Sequence, residues 1–194
     1  MSDYMLEVKN LSVQYKTDLT TVYAVDDVSF TLERGKTIGL VGETGAGKTT
    51  IAKTLMQILP SRTARITGGE VYINGENLLE KSKTELEKMR GKEMSMIFQD
   101  PMSALNPVET IGDQIYEALH YHNDEHKSKE ELDQRVEEML AMVGILPKRK
   151  HDYPHQFSGG MKQRVVIAMA LCCEPHLLIA DASTCVGALM NGFT

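Results

Sequence analysis

The chain has 194 residues, enough for one sizeable core or a core with an inserted subdomain, and 42% hydrophobic with 25% charged residues is the composition of a globular protein. Its 27 acidic and 21 basic side chains leave a net charge of -6, so no dominant basic field argues for nonspecific nucleic-acid binding. The longest apolar run, residues 165–173, is far too short to span a bilayer, and Met-Ser-Asp-Tyr-Met-Leu-Glu at the start lacks the basic and apolar regions of a signal peptide, so a cytosolic protein is expected, with any membrane role exercised through partners.

Apolar residues alternate at Leu6 and Val8, then at Leu11, Val13 and Tyr15, with Asn10 between the runs, and the alternation resumes at Val28, Phe30 and Leu32. This pattern predicts half-buried antiparallel sheet. Arg34-Gly35-Lys36 then turns the chain into an apolar run at residues 37–41, which reads as a buried strand. Immediately after it comes Gly42-Glu43-Thr44-Gly45-Ala46-Gly47-Lys48-Thr49, a match to G-x-x-x-x-G-K-[ST] at every fixed position, leading through Thr50 into a helix. Glycines let backbone N–H groups wrap a phosphate chain at the positive end of that helix; Lys48 is suited to the β- and γ-phosphates and the Thr49 hydroxyl to Mg²⁺.

Residues 68–75 read as a further strand closed by an Asn74-Gly75 turn. Ser82-Lys83-Thr84-Glu85 has capping-box spacing and opens a short helix with Leu86 and Met89 inward. Residues 94–98 read as a central strand that delivers Gln99 to its carboxyl end, where open α/β sheets bind ligands. Taken alone, Gln99 reads as an ordinary turn residue.

From about 107 to 156 the pattern becomes helical, with Ile111, Ile115 and Leu119 on one face. A second helix begins at the capping box Ser128-Lys129-Glu130-Glu131 and carries Leu132, Val136, Met139, Leu140 and Val143, with Gly144 as its stop. His120, His122 and His126 lie in a polar connector; no thiolate or second ligand cluster accompanies them to argue for a metal. Cys172, Cys173 and Cys185 have no metal-ligand spacing, and the adjacent pair reads as small apolar residues on a buried helix. Ser158-Gly159-Gly160 opens that helix, at Met161, and could present a hydroxyl and unhindered N–H groups to an anion, or could simply cap it. Residues 177–180 form an apolar strand ending in Asp181, the place for a Mg²⁺-binding carboxylate beside a phosphate loop or for a turn residue.

In this order and spacing the phosphate loop, strand-Gln99, Ser158-Gly159-Gly160 and strand-Asp181 resemble the ATP-binding cassette family of transport ATPases, over residues 4 to about 184. Within it, residues 98–107 and 153–164 are similar to the subunits that power oligopeptide, dipeptide or nickel importers. The resemblance implies an α/β phosphate-loop NTPase (RecA-like) core with a small antiparallel β subdomain and an inserted helical subdomain. These are a β subdomain and phosphate-loop core at 4–106, a helical insertion at 107–156, a signature helix and Mg-binding strand at 157–184, and a divergent tail at 185–194. It further implies ATP and Mg²⁺ as ligands, with Tyr15 stacking on adenine (Tyr23 a weaker candidate), residues 42–50 holding the phosphates, and Thr49, Gln99 and Asp181 arranging metal and water. Gln99 is the catalytic candidate. Ser158, Gly159 and Gly160 would contact the γ-phosphate on a second cassette, as a homo- or heterodimer. The implied partners are membrane permease subunits on the inner face of the cell membrane and, indirectly, a substrate-binding protein; no nucleic acid is expected.

One departure matters. Where the family carries a water-polarising glutamate after the strand-terminal aspartate the chain has Ala182, and the family's later histidine is missing from the divergent tail, so the chain reads as an incomplete cassette. Two alternatives to an importer ATPase therefore stand: a cassette that binds ATP but hardly hydrolyses it, and a soluble cassette ATPase acting on nucleic acid or ribosomes, which the acidic balance disfavours.

Overall fold

The computed structural model describes residues 4–17 and 19–181, which divide into two compact units, 4–87 and 88–181. In β1 (Tyr4–Lys16) the phase change between Val8 and Leu11 has a backbone cause. Asn10 adopts a φ of 47°, the strand is bulged there, and Leu6, Val8, Leu11 and Val13 all become buried. The neighbouring β2 (Thr21–Glu33) answers with Asp27 at a φ of 51°. Asn10 Nδ2 donates to Asp27 Oδ1 (2.7 Å), Asn10 N to Ser29 Oγ (2.8 Å) and Asp27 N to Ser12 Oγ (3.0 Å), so side chains replace the ladder bonds that the two irregularities give up.

β3 (Ala64–Ile73) pairs with the other edge of β1 and starts four residues earlier than the periodicity predicts. Asn74 and Gly75 then make the expected turn, with φ of 53° and 82°, into the short β4 (Glu76–Asn77). The sheet is antiparallel, in the order β2-β1-β3-β4. The helix after the phosphate loop, α1 (Lys48–Leu55), buries Ile51, Ala52 and Leu55. One expectation fails in this unit. Residues 37–41 belong to neither sheet, and Val41 is 97% exposed. An apolar run becomes a buried parallel strand only with neighbours at its edges, and among the described residues the parallel sheet consists of two other strands.

The link to the second unit is α2 (Lys83–Met89), which opens with the predicted capping box: Ser82 N donates to Glu85 Oε2 (2.8 Å) and Glu85 N to Ser82 Oγ (3.3 Å). β5 (Met94–Ile97) and β6 (Leu177–Ala180) run parallel, with Met94 opposite Leu177 and Ile97 opposite Ala180. After the short α3 (Pro101–Ala104) come α4 (Ile111–Tyr121), α5 (Lys129–Met142) and α6 (Gly159–Leu171). Ile111, Ile115 and Leu119 of α4, Leu132, Val136, Met139 and Leu140 of α5, and Val165 to Ala168 of α6 form one core with Ile97 and Phe157. The segment expected as a helical insertion thus shares its interior with the helix that follows it and with β5. Cys172 is buried at the end of α6, whereas Cys185 lies outside the described residues.

His122, expected in a solvated connector, is packed instead. A Cβ on Gly91 would lie 2.5 Å from His122 Nε2, and Lys92, ion-paired to Asp124, faces the same ring. Although His122 caps the C-terminus of α4, where a cation is favoured, burial and the Lys92 charge hold its pKa below the usual value, outweighing Asp124.

Two outcomes are expected in unfolding experiments. Ile115→Ala removes a fully buried side chain and should cost about 2–5 kcal/mol in denaturant melts, with a far smaller effect from truncating exposed Glu130. Because His122 resists protonation in the folded chain, the unfolded chain takes the proton first, and stability should fall as pH drops below about 6.5 towards the lower folded value. His122→Gln should flatten that fall in melts at pH 7.5 and 5.5; an unchanged pH slope would contradict the assignment.

Candidate nucleotide-binding site

The phosphate loop is shaped by two left-handed glycines, Gly45 at a φ of 87° and Gly47 at 83°. Gly47 is also the N-cap of α1, and a Cβ there would stand 2.1 Å from the carbonyl oxygen of Ala24 on β2. Only glycine permits that approach, which fixes the start of α1 against β2. Ala46 N donates to Glu43 O (3.1 Å), closing the turn between the ends of the loop. Lys48 Nζ bends back into the loop and donates to Gly42 O (2.6 Å) and Glu43 O (2.7 Å). The ammonium therefore points at the ring of backbone that the motif assigns to phosphate, held by neutral carbonyls that a phosphate oxygen would outcompete. Thr49 and Thr50 follow in the first turn of α1.

Helix charge separates this helix from its neighbours. α2, α4 and α5 carry Glu85, Asp113, and Glu130 with Glu131 in their first turns, the usual complement to a helix dipole. α1 and α6, like the four-residue α3, carry no acid there; Gly47 is the N-cap of α1 and Gly159 the first residue of α6. Their N-termini are left suited to an external anion.

Tyr15 lies at the end of β1 with its hydroxyl 3.5 Å from Thr50 Oγ1, which places a half-buried aromatic ring beside the first turn of α1. Tyr23 on β2 is 68% exposed. In the second unit, Gln99 is exposed just beyond β5, and Asp181, half-buried, follows β6. Asp181 N donates to Ile97 O (3.0 Å), so both residues leave the carboxyl ends of paired parallel strands. Ser158 caps α6, its Oγ accepting from Met161 N (3.4 Å). That bond uses the oxygen as acceptor and leaves the hydroxyl proton to donate. A Cβ at Gly159 or Gly160 would meet nothing within 4 Å, so packing among the described residues does not explain either glycine. Ala182 lies outside the described residues.

The profile of the family described as ABC transporter matches residues 25–185. The chain belongs to the ABC transporter family. It is 48% identical over 182 residues to the dipeptide transport ATP-binding protein DppD of Bacillus subtilis (strain 168) and 46% identical over 182 residues to the oligopeptide transport ATP-binding protein OppD of the same organism. Both alignments cover 93% of this chain and 54% and 50% of the relatives, so the chain spans about half the length of the curated relatives it matches. Among solved structures, the ATP-binding cassette MJ0796, described as a dimer in a post-hydrolysis state bound to ADP and Pi, superposes with a TM-score of 0.81 at 29% identity, over 91% of this chain and 73% of that one.

The sequence pattern singles out candidate ligand-facing residues and says less about the side chains that tie the surrounding elements together. Arg149 and Lys150 lie outside the motif stretches, and Arg164 is the last residue of the 153–164 stretch. Arg164 Nη1 donates to Val143 O (3.2 Å) and Gly144 O (3.0 Å), closing the end of α5, and Lys150 bonds Asp133 and Glu137 on α5. The bonds of Lys150 and Arg164 join residues 13 to 21 positions apart, which local periodicity does not report.

The two loop glycines should respond differently to alanine. Gly45→Ala meets no atom within 4 Å and should cost only left-handed strain, about 1–2 kcal/mol. Gly47→Ala adds a backbone clash and should lower the melting temperature more and remove binding of a fluorescent ATP analogue. Equal behaviour of the two variants in melting and binding would contradict the packing role of Gly47.

Proposed function

We propose that this chain is the ATP-binding subunit of an importer for peptides, working as one of two cassettes beneath membrane permease subunits on the cytoplasmic face. The observation that carries the nucleotide assignment is the phosphate loop, with Gly45 and Gly47 in left-handed conformations and Lys48 Nζ turned onto loop carbonyls. The peptide class rests on the named transport roles of the relatives, DppD and OppD; a nickel importer, equally compatible with the motifs, has no such support among them.

In this reading Tyr15 stacks on adenine, and Lys48 exchanges Gly42 O and Glu43 O for phosphate oxygens. The N–H groups of residues 43–50 line the phosphate chain, and the Thr49 hydroxyl, Gln99 and Asp181 hold the metal and orient water. Mg²⁺, when bound, neutralises phosphate charge. Ser158 donates its hydroxyl proton, and Gly159 and Gly160 their N–H groups, to the nucleotide of the second cassette, a role consistent with glycines that no packing among the described residues demands. Nucleotide then bridges two subunits, and a substrate-binding protein outside the membrane supplies the peptide.

A second reading is favoured by one residue. Ala182 occupies the position of the water-polarising glutamate, and loss of a positioned base costs about 10²–10⁴-fold in rate. Binding and turnover should therefore separate. A fluorescent ATP analogue should bind with Mg²⁺ and lose binding in Lys48→Ala, and equal binding by the two proteins would sink the nucleotide assignment. Phosphate release should stay at the level of Lys48→Ala; sustained release by the parent chain alone would exclude the hydrolysis-deficient reading. Copurification with a membrane permease, instead of DNA or ribosomes, tests the transporter role.

A further inference from the structure

The three residues of the Ser158-Gly159-Gly160 signature are exposed, and the connection that leads to them is held by few backbone bonds. Between α5 and α6 the chain makes two short 3-10 turns, Pro147–His151 and Pro154–Gln156. The bonds from Asp152 N to Arg149 O, Gln156 N to Tyr153 O and Phe157 N to Pro154 O close these turns on themselves. They do not say where the second turn sits relative to the first, or at what angle the signature leaves it.

The Arg149 side chain supplies that information. Its Nε donates to Asp152 Oδ2 (2.7 Å), Nη2 to Gln156 O (3.1 Å) and Nη1 to Met161 Sδ (3.4 Å), while its guanidinium carbon stands 4.3 Å from the centre of the Phe157 ring. One planar group is therefore attached at positions 152, 156, 157 and 161, on both sides of Ser158. Phe157 is buried at 5% exposure, so the ring that the cation covers is itself fixed. The Arg149 and Asp152 side chains are 27% and 31% exposed, which leaves the pair partly shielded from water. The neighbouring Lys150 grips Asp133 and Glu137, so the turn that carries Arg149 is tied to α5. The fork of donors and the flat face are both in use, and lysine has neither.

We infer that Arg149 is a positioning residue for the signature: it sets where Ser158, Gly159 and Gly160 are presented to the nucleotide on a second cassette. The inference rests on the proposed reading of that tripeptide as a contact made across a cassette dimer. Arg149 touches no nucleotide itself and acts through Asp152, Gln156, Phe157 and Met161.

The test compares the 194-residue chain with Arg149→Gln, Arg149→Lys and Asp152→Asn. The last keeps the backbone carbonyl of Asp152, which accepts from Ile111 N at the start of α4 (2.9 Å). Three readouts separate positioning from general damage: binding of a fluorescent ATP analogue by the isolated chain, hydrogen exchange at amides 157–161, and ATP-dependent pairing by analytical ultracentrifugation. Expected are unchanged analogue binding, faster exchange at 157–161, and pairing weakened about tenfold or more, the loss of a charge-assisted bond, with Arg149→Lys retaining the melting temperature and not the pairing. Exchange at 157–161 equal to the parent in Arg149→Lys and Asp152→Asn would overturn the role of Arg149. Absence of ATP-dependent pairing by the parent would strike instead at the reading of the signature, so the two fail separately. Should Arg149→Gln not fold, the other two variants carry the comparison.

Discussion

The carbonyl oxygen of Ala24 lies where a side chain at position 47 would have to be, and much of the first unit depends on that exclusion. A glycine at 47 lets β2 and the start of α1 touch at backbone level. The touch decides where the helix N-terminus points, and with it the direction of the N–H groups that face a phosphate. The sheet is built to hold its side of the contact. Bulges in β1 and β2, locked together through Asn10, Asp27, Ser12 and Ser29, shift the register between the strands while keeping Leu11 and Val13 buried. Tyr15, at the far end of β1, reaches the first turn of the same helix. Strand irregularity, loop shape and aromatic placement thus belong to one constraint.

The distribution of charge repeats the division between elements that support and elements that present. Three helices, α2, α4 and α5, carry acids in the first turn, Glu85, Asp113, Glu130 and Glu131, that complement their own dipoles. Of the two longer helices without such an acid, α1 has Gly47 as its N-cap and α6 starts at Gly159. In a chain of net charge -6 this is a local exception to the overall field. On the proposed reading these two helix ends are where an anion is favoured.

Elements whose cause is local were legible in the sequence. Two capping boxes, the Asn74-Gly75 turn and the Ile111, Ile115, Leu119 stripe each follow from residues within a few positions of one another, and each is present. The apolar run at 37–41 shows the limit. Hydrophobicity says that a segment suits burial, while a strand also needs neighbours, and pattern along the chain does not supply them. The packing of His122 is invisible in the local pattern for a related reason, since it depends on Gly91, thirty-one positions away. Among the candidate residues, the loop glycines and Lys48 stand out because phosphate chemistry restricts residue type at fixed spacing, whereas Gln99, Ser158 and Asp181 each read alone as turn or cap residues and are singled out only by their common order and spacing. Arg149 does not stand out, because its partners come together only once two turns and a helix are in place.

Lys48, bonded to Gly42 O and Glu43 O, gives the loop a way to discriminate among anions. The resting ammonium is already satisfied, so an incoming ion gains only the difference between its own bonds and those it displaces. Chloride or a single carboxylate offers too few acceptors to unseat both carbonyls and to occupy the N–H groups as well. A polyphosphate offers many at once. On the proposed reading, the loop therefore favours a ligand that makes several contacts at once over a small anion that makes few.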